Sequence, residues 1–410
     1  MIAGCPKMYK LLILIQVLIV TACQDSESSR HRVKRHEGQE VRTNQQPQNS
    51  SESSNQSQTR RQSDGTASRN TPLPTEQTGA QSAGEAEGSA DTKSPSSGSQ
   101  AQEEMNSIEL EPQPTPTAAQ ILSKPGALSL VQADQAFIEQ KMREFTGDLP
   151  VLINNTEQTL GPRNNRQGKD LALQFLQQEY EKLGFVVSLD NYGTGINLVA
   201  EKKGTAAEQR VLIVGAHYDS VASVGADDDA SGIIGSLAIA KALESMEFDY
   251  TLRFIAFDEE ELGLIGSANY ANSIQSTNES GIIIGAIILE MLGYDGNNDS
   301  AFHIVDCKFI GEADQPEGNS GQLSEIVLGA INLSGSSLQR TDACTDRSDH
   351  TSFWNMGVPA VVLSQDFFGG DSNPCYHDTC DTIELLDYTY MSNITSAAAM
   401  SVASLLSSSP

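Results

Sequence analysis

The 410-residue sequence predicts an α/β fold, a mostly parallel twisted sheet covered by helices on both faces, in one domain spanning about residues 119–410. Three observations predict it. Beyond residue 119, stretches with helical period alternate with short apolar runs. Those runs are apolar on both faces, as strands sandwiched between helix layers are. Three of them run directly into ionisable residues, which places a site beyond the carboxyl ends of the strands, where open α/β sheets bind ligands.

Residues 168–184, GKDLALQFLQQEYEKLG, carry apolar side chains at three- and four-residue spacing and end in glycine, so they read as an amphipathic helix with its C-cap. INLVAE, RVLIVGA, TLRFIAF, GIIIGAIIL and VPAVVLS read as strands, and residues 231–246, residues 323–333 and the stretch from Asp387 onward as helices. RVLIVGA ends at His217 and Asp219, TLRFIAF at Asp258, Glu259, Glu260 and Glu261, and GIIIGAIIL at Glu290. Scattered surface charge does not converge in this way.

The first 22 residues place Lys7 and Lys10 ahead of LLILIQVLIV, an apolar stretch too short to span a membrane comfortably, and read as an export signal. Val20, Thr21, Ala22 and Cys23 resemble the lipobox of bacterial lipoproteins. That resemblance implies acylation of Cys23, a lipid anchor in the cell envelope and, with Gln24 following, delivery to the outer membrane. Residues 23–118 are rich in Ser, Gln, Glu, Thr, Gly and Pro, and bury too little apolar surface to offset chain entropy, so they read as a disordered tether. In an exported chain Cys307, Cys344, Cys375 and Cys380 are compatible with two disulfides. Sequence does not fix the pairing, but Cys375 and Cys380 lie close together in CYHDTC and are the expected pair. The net charge of -28 falls mostly on residues 119–410; such a surface repels nucleic acid and draws in cationic peptides.

Carboxylates gathered at one sheet edge repel one another and take up protons unless a cation neutralises them. Histidines among them point to zinc, which accepts imidazole and carboxylate ligands alike. GAHYDS, GADDDASG, FDEEELGLIGS, ILEMLGY, RSDH and CYHDTCDT, in this order, resemble the motifs of co-catalytic zinc aminopeptidases of the secreted bacterial leucine aminopeptidase type, whose relatives include glutamate carboxypeptidases and glutaminyl cyclases. The resemblance covers nearly all of residues 119–410. It implies the single-domain zinc-exopeptidase fold, two zinc ions, and removal of the first residue from peptides with a free N-terminus.

Position by position, the resemblance implies that His217 and Glu290 bind one zinc, Glu261 and His377 the other, and that Asp228 bridges them. It makes Glu260 the general base, Asp219 the acid that holds the His217 ring, and Tyr376 the oxyanion-stabilising tyrosine; Arg347 and His350 fall in a turn that lines the substrate pocket in relatives. Glu290 departs from the family's commoner Asp, and Thr345 and Asp346 stand where some members place a tyrosine. Since neighbouring residues of an extended segment point opposite ways, Glu260 and Glu261 are expected to face substrate and metal respectively. Asp227 and Asp229 read as acids favoured at a helix N-terminus, His303 as a packed strand residue, and Asp258 and Glu259 as solvated acids. Glutaminyl cyclisation, carboxypeptidase activity, and a non-catalytic binding lipoprotein are the rival functions.

Overall fold

The computed structural model describes residues 117–207, 209–308 and 316–407. The export segment, Cys23, His31, His36 and nearly all of the tether lie outside them.

The chain enters through two short helices, α1 (Ala118–Ser123) and α2 (Gln135–Phe145), and a hairpin of β1 (Val151–Ile153) and β2 (Thr156–Gln158). Thr117 caps α1 with a capping box to Gln120, and the Asp134 carboxylate caps α2, satisfying amides that a helix start leaves open. The expected amphipathic helix is α3 (Arg166–Lys182), capped by Asn165 and followed by Gly184 at φ +82. Then come β3 (Val186–Asn191), β4 (Ile196–Lys202), β5 (Val211–His217), α4 (Gly232–Ala242), β6 (Thr251–Phe257), α5 (Ile265–Ser276) and β7 (Ile283–Glu290). The remainder is β8 (Ala301–Val305), α6 (Ser320–Ser334), β9 (Gln339–Thr341), α7 (His350–Trp354), β10 (Ala360–Gln365) and α8 (Tyr388–Leu406).

Eight strands form one sheet in the order β3-β4-β6-β5-β7-β10-β8-β9. The centre, β6-β5-β7-β10, is parallel; β3 and β4 run antiparallel at one flank, and β8 pairs antiparallel with β10 at the other. Every residue of β5 and β10 is buried, as the two-sided apolar runs predict, whereas the edge strand β3 leaves Val186 and Leu189 exposed. One face is covered by α2, α3, α4, α6 and α8, the other by α5 and α7, giving two apolar layers. The sequence reading omits α1, α2, α5, α7, the hairpin, β3 and β9. Most of these elements are short or carry few apolar residues, so their periodicity is weak; α2 is the exception, with Ile138, Met142 and Phe145 buried at helical spacing.

Parallel pairing has one consequence for function. β6, β5 and β7 lie side by side and end together, so the segments following Phe257, His217 and Glu290 meet at one edge. Two disulfides form: Cys307 to Cys344, after β8, which runs antiparallel to β10 and so leads away from that edge, and the expected pair Cys375 to Cys380, which brackets His377.

Candidate metal centre

His217 is the last residue of β5 and is buried. Its Nε2 lies 3.2 Å from Asp228 Oδ1 and 3.3 Å from Glu290 Oε1, and its Nδ1 lies 3.3 Å from Asp219 Oδ1. His377 approaches the other side of Asp228: its Nε2 is 3.2 Å from Asp228 Oδ2 and 3.0 Å from Glu261 Oε2. Each oxygen of Asp228 thus faces a different imidazole, with Glu290 beside one and Glu261 beside the other. Glu260 Oε2 stands 4.0 Å from His217 Nε2. All five sequence-predicted ligands and Glu260 converge here.

Local structure explains how the chain presents them. A turn at Ala226–Ser231 delivers Asp228, entered through Gly225 at φ +55, where a Cβ would stand 2.1 Å from the Asp228 carbonyl. Asp381 accepts the amides of Asp227 (2.9 Å) and Asp228 (3.1 Å). Asp227 accepts from Gly293 N, Gln365 Nε2 and Asn373 Nδ2, tying the turn to the segments after β7 and β10. Asp229 accepts from Gly232 N at the start of α4 and from Met291 N. Only Asp229 therefore caps the helix; Asp227 braces strands.

Glu260 and Glu261 do not sit in an extended segment. Glu259, at φ +58, turns the chain after β6, and Asp219 accepts the amides of both Glu260 (3.2 Å) and Glu261 (3.3 Å). A turn therefore separates the two side chains, and strand alternation does not. Asp258 and Glu259 are buried, contrary to the solvated reading: Asp258 pairs with Lys169 at 2.6 Å and accepts from Ile196 N, while Glu259 accepts from Thr194.

The electrostatics call for positive charge. Burial pushes Glu261 up to about 8, with Asp228 adding to the shift, and burial together with Glu290, Asp349 and Glu261 holds Glu260 well above the carboxylate range. Burial also opposes ionisation of Asp228, yet its two imidazole neighbours bring it down to about 2. Burial lowers the pKa of His217, but the surrounding carboxylates outweigh it and raise the ring well above its usual value. Asp228 Oδ2 and Glu261 Oε1 are buried without an aligned hydrogen-bond donor, and Ser348 Oγ occupies one oxygen of Glu290 at 2.8 Å, leaving the other toward His217. Unpartnered carboxylate oxygens and imidazoles in one cluster fit a zinc-type cation. The ligand atoms of His217, Asp228 and Glu261 lie within 4.8 Å of one another, as do those of His217, Asp229 and Glu290.

Beside this cluster opens a cleft whose apolar wall is Met291, Val305, Val362, Phe367 and Phe368. Tyr376 lines it too, stacked on His377 at 3.8 Å and edge-on to Phe367 at 5.0 Å, and Arg347 stands in the lining. His350 corrects the sequence expectation of substrate contact. It has no exposed surface, its Nε2 lies 3.0 Å from Thr345 O, and it packs against Trp354 as part of the core. Sequence reasoning missed Ser348 and Asp381, both inside motifs already singled out. It also missed Arg163, a buried guanidinium held by the carbonyls of Tyr218, Val224 and Gly225, which no pattern marks.

Sheet and donor set together define the class: an α/β protein with a carboxylate and imidazole metal centre at the carboxyl edge of its parallel strands. Within that class the chain belongs to peptidase family M28, whose model matches residues 197–402. It is 30% identical over 264 residues to a probable leucine aminopeptidase 2 of Trichophyton verrucosum, an alignment covering 58% of this chain and 50% of that protein. It is 29% identical over 280 residues to aminopeptidase YwaD of Bacillus subtilis, covering 63% of this chain and 58% of that one. The chain spans about half the length of the curated relatives it matches. The LapA aminopeptidase of Legionella pneumophila has the same fold, with a TM-score of 0.56 at 19% identity over 68% of this chain and 72% of that one.

Proposed function

We propose that the chain is a zinc-dependent aminopeptidase that removes apolar residues from the free N-termini of peptides. The observation that carries this reading is Asp228, whose two oxygens face His217 and His377 at 3.2 Å each, a bridging posture for two zinc ions. His217 and Glu290 would complete one site, Glu261 and His377 the other. Zinc held by these residues would supply a water that is nucleophilic near neutral pH and a Lewis acid for the carbonyl under attack. Glu260 takes the proton of the attacking water and passes it to the leaving amine. Asp219 fixes the orientation of His217. Tyr376 donates to the developing oxyanion. Arg347, in the cleft lining, contacts the peptide beyond the cleaved bond, and the carboxylates receive the substrate's ammonium group. The apolar wall supports a preference for side chains such as Leu.

The test uses the full chain with a panel of aminoacyl p-nitroanilides, with and without chelator, and with zinc content measured. Glu260→Gln is expected to keep its zinc and lose roughly 10²- to 10⁴-fold in kcat. A variant that cleaves as well as the parent overturns the base assignment, and ammonia release from Gln-initial peptides without chain shortening would assign a cyclase instead. The same reading places residues 1–22 as a lipoprotein export signal, residues 23–118 as a tether and residues 119–410 as the catalytic domain. The acylated Cys23 then anchors the enzyme in the outer membrane of the cell envelope. Incorporation of labelled fatty acid, abolished by Cys23→Ala, tests the anchor.

A further inference from the structure

Behind the apolar wall of the cleft lies an imidazole that the proposed reaction does not use. His303, on β8, is fully buried; its Nδ1 is 2.9 Å from Thr341 Oγ1 on β9, and its Nε2 accepts the Phe368 amide at 3.0 Å. Thr341 Oγ1 lies 2.6 Å from Asp366 Oδ1. An ionised carboxylate only accepts, so the threonine hydrogen points to Asp366 and its lone pair to His303 Nδ1. That ring nitrogen therefore carries the proton, and Nε2 is left as a pure acceptor. One tautomer satisfies the whole chain from Phe368 N–H to Asp366. Burial lowers the pKa of His303, against the opposing pull of the Thr341 carbonyl, Asp366 and Asp342, which keeps the ring neutral as this network requires.

What hangs on Nε2 is the substrate wall. Phe367 and Phe368 both line the cleft, their rings 5.1 Å apart, and Phe368 also packs against the His303 ring at 5.8 Å. Phe368 is 42% exposed, so tertiary packing alone holds it loosely. Gly369 and Gly370, the latter at φ +113, follow at once and add no stiffness. Phe367 has its own hold, its amide 2.7 Å from the Gln365 carbonyl and its ring edge-on to Tyr376, so the hydrogen bond to His303 is the anchor of the Phe368 half of the wall.

We propose that His303 is a specificity-determining positioning residue, which by accepting the Phe368 amide fixes the Phe368 half of the two-phenylalanine wall and so favours large apolar over small N-terminal side chains. This rests on the aminopeptidase reading above. Two substitutions isolate the bond: His303→Phe keeps the ring volume and removes the acceptor, whereas His303→Gln keeps an acceptor.

In the full chain, His303→Phe is expected to lower the ratio of kcat/KM for leucyl over alanyl p-nitroanilide by about 2- to 12-fold, the value of one neutral hydrogen bond. The loss should fall mainly on the KM for the leucyl substrate, and His303→Gln should recover most of it. Phe368→Ala should lower the same ratio, and adding His303→Phe to it should change little further, because residues acting through one another are not additive. Additive losses, or an equal fall in kcat for both substrates, would overturn the proposal. Hydrogen exchange at the Phe368 amide gives a readout independent of activity: slow in the parent and in His303→Gln, fast in His303→Phe. Unchanged exchange in His303→Phe sinks the anchor even if the enzyme is active. A parent inactive on every aminoacyl substrate, with the exchange contrast intact, sinks the aminopeptidase reading and the specificity claim but leaves the anchor standing.

Discussion

Lowering the pH should destabilise the protein through His350. The ring has no exposed surface and sits edge-on to Trp354 at 4.3 Å, so the burial that disfavours a second proton outweighs the neighbours that favour it, the Thr345 and Ser348 backbone and Asp346. Burial pushes its pKa from 6.5 down to about 4, against a smaller opposing effect of the Thr345 carbonyl. Between those values the unfolded chain binds more protons than the folded one, so stability is complete above pH 6.5 and is lost as the pH falls toward 4. The gap amounts to about 3 kcal/mol, of which about 2 kcal/mol is already lost at pH 5. The assay is urea unfolding of metal-free protein with its disulfides intact, at pH 7.5 and pH 5, followed by the fluorescence of the single tryptophan, Trp354. His350→Phe preserves a packed ring and removes the titration. Carboxylates common to both proteins, such as Asp227 and Asp349, cancel in the comparison. Relative to the parent, the variant should gain about 2 kcal/mol on going from pH 7.5 to pH 5. Equal pH dependence in the two proteins would show that His350 does not titrate as a buried neutral ring, and the argument would fail.

Asp219→Asn should weaken zinc binding about 10- to 100-fold, measured by competition with a chromophoric chelator, because Asp219 both faces His217 Nδ1 and holds the amides of Glu260 and Glu261. Ile287→Ala, in the buried centre of β7, should cost about 2–5 kcal/mol in urea unfolding. Gly266→Ala should lower the thermal midpoint, since its Cβ would stand 2.1 Å from the Asp258 carbonyl and force apart α5 and the end of β6.

The central strands, α3, α4 and α8 were legible in the sequence because two-sided burial and helical period leave direct marks on composition. So were His217, Glu260, Glu261 and Glu290, since a strand that runs into an acid or a histidine announces its edge, whereas Asp228 and His377 lie in loops and were marked only by the resemblance of GADDDASG and CYHDTCDT to the family motifs. His350 was misread for a physical reason: its neighbours Arg347 and Ser348 do face the cleft, and only the start of α7 turns the next histidine inward onto Trp354. Short elements such as α7 carry too little pattern to show which way a residue points.

The acids that build the centre were harder to sort than those that compose it. Asp219, Asp227, Asp229 and Asp381 all accept backbone amides at the site, from residues 260 and 261, 293, 232 and 291, and 227 and 228 respectively. An amide is carried by nearly every residue type, so a partner of this kind leaves no trace in the sequence. The acids that face cations instead find imidazoles from distant segments, and those side chains are visible. The division of labour within Asp227, Asp228 and Asp229 follows from that difference. Asp227 and Asp229 each meet amide donors that fold the chain, whereas Asp228 accepts no backbone amide among the described hydrogen bonds and turns each oxygen to an imidazole. A substitution at either flank should therefore disturb folding as well as metal binding, whereas one at Asp228 should affect the metal first.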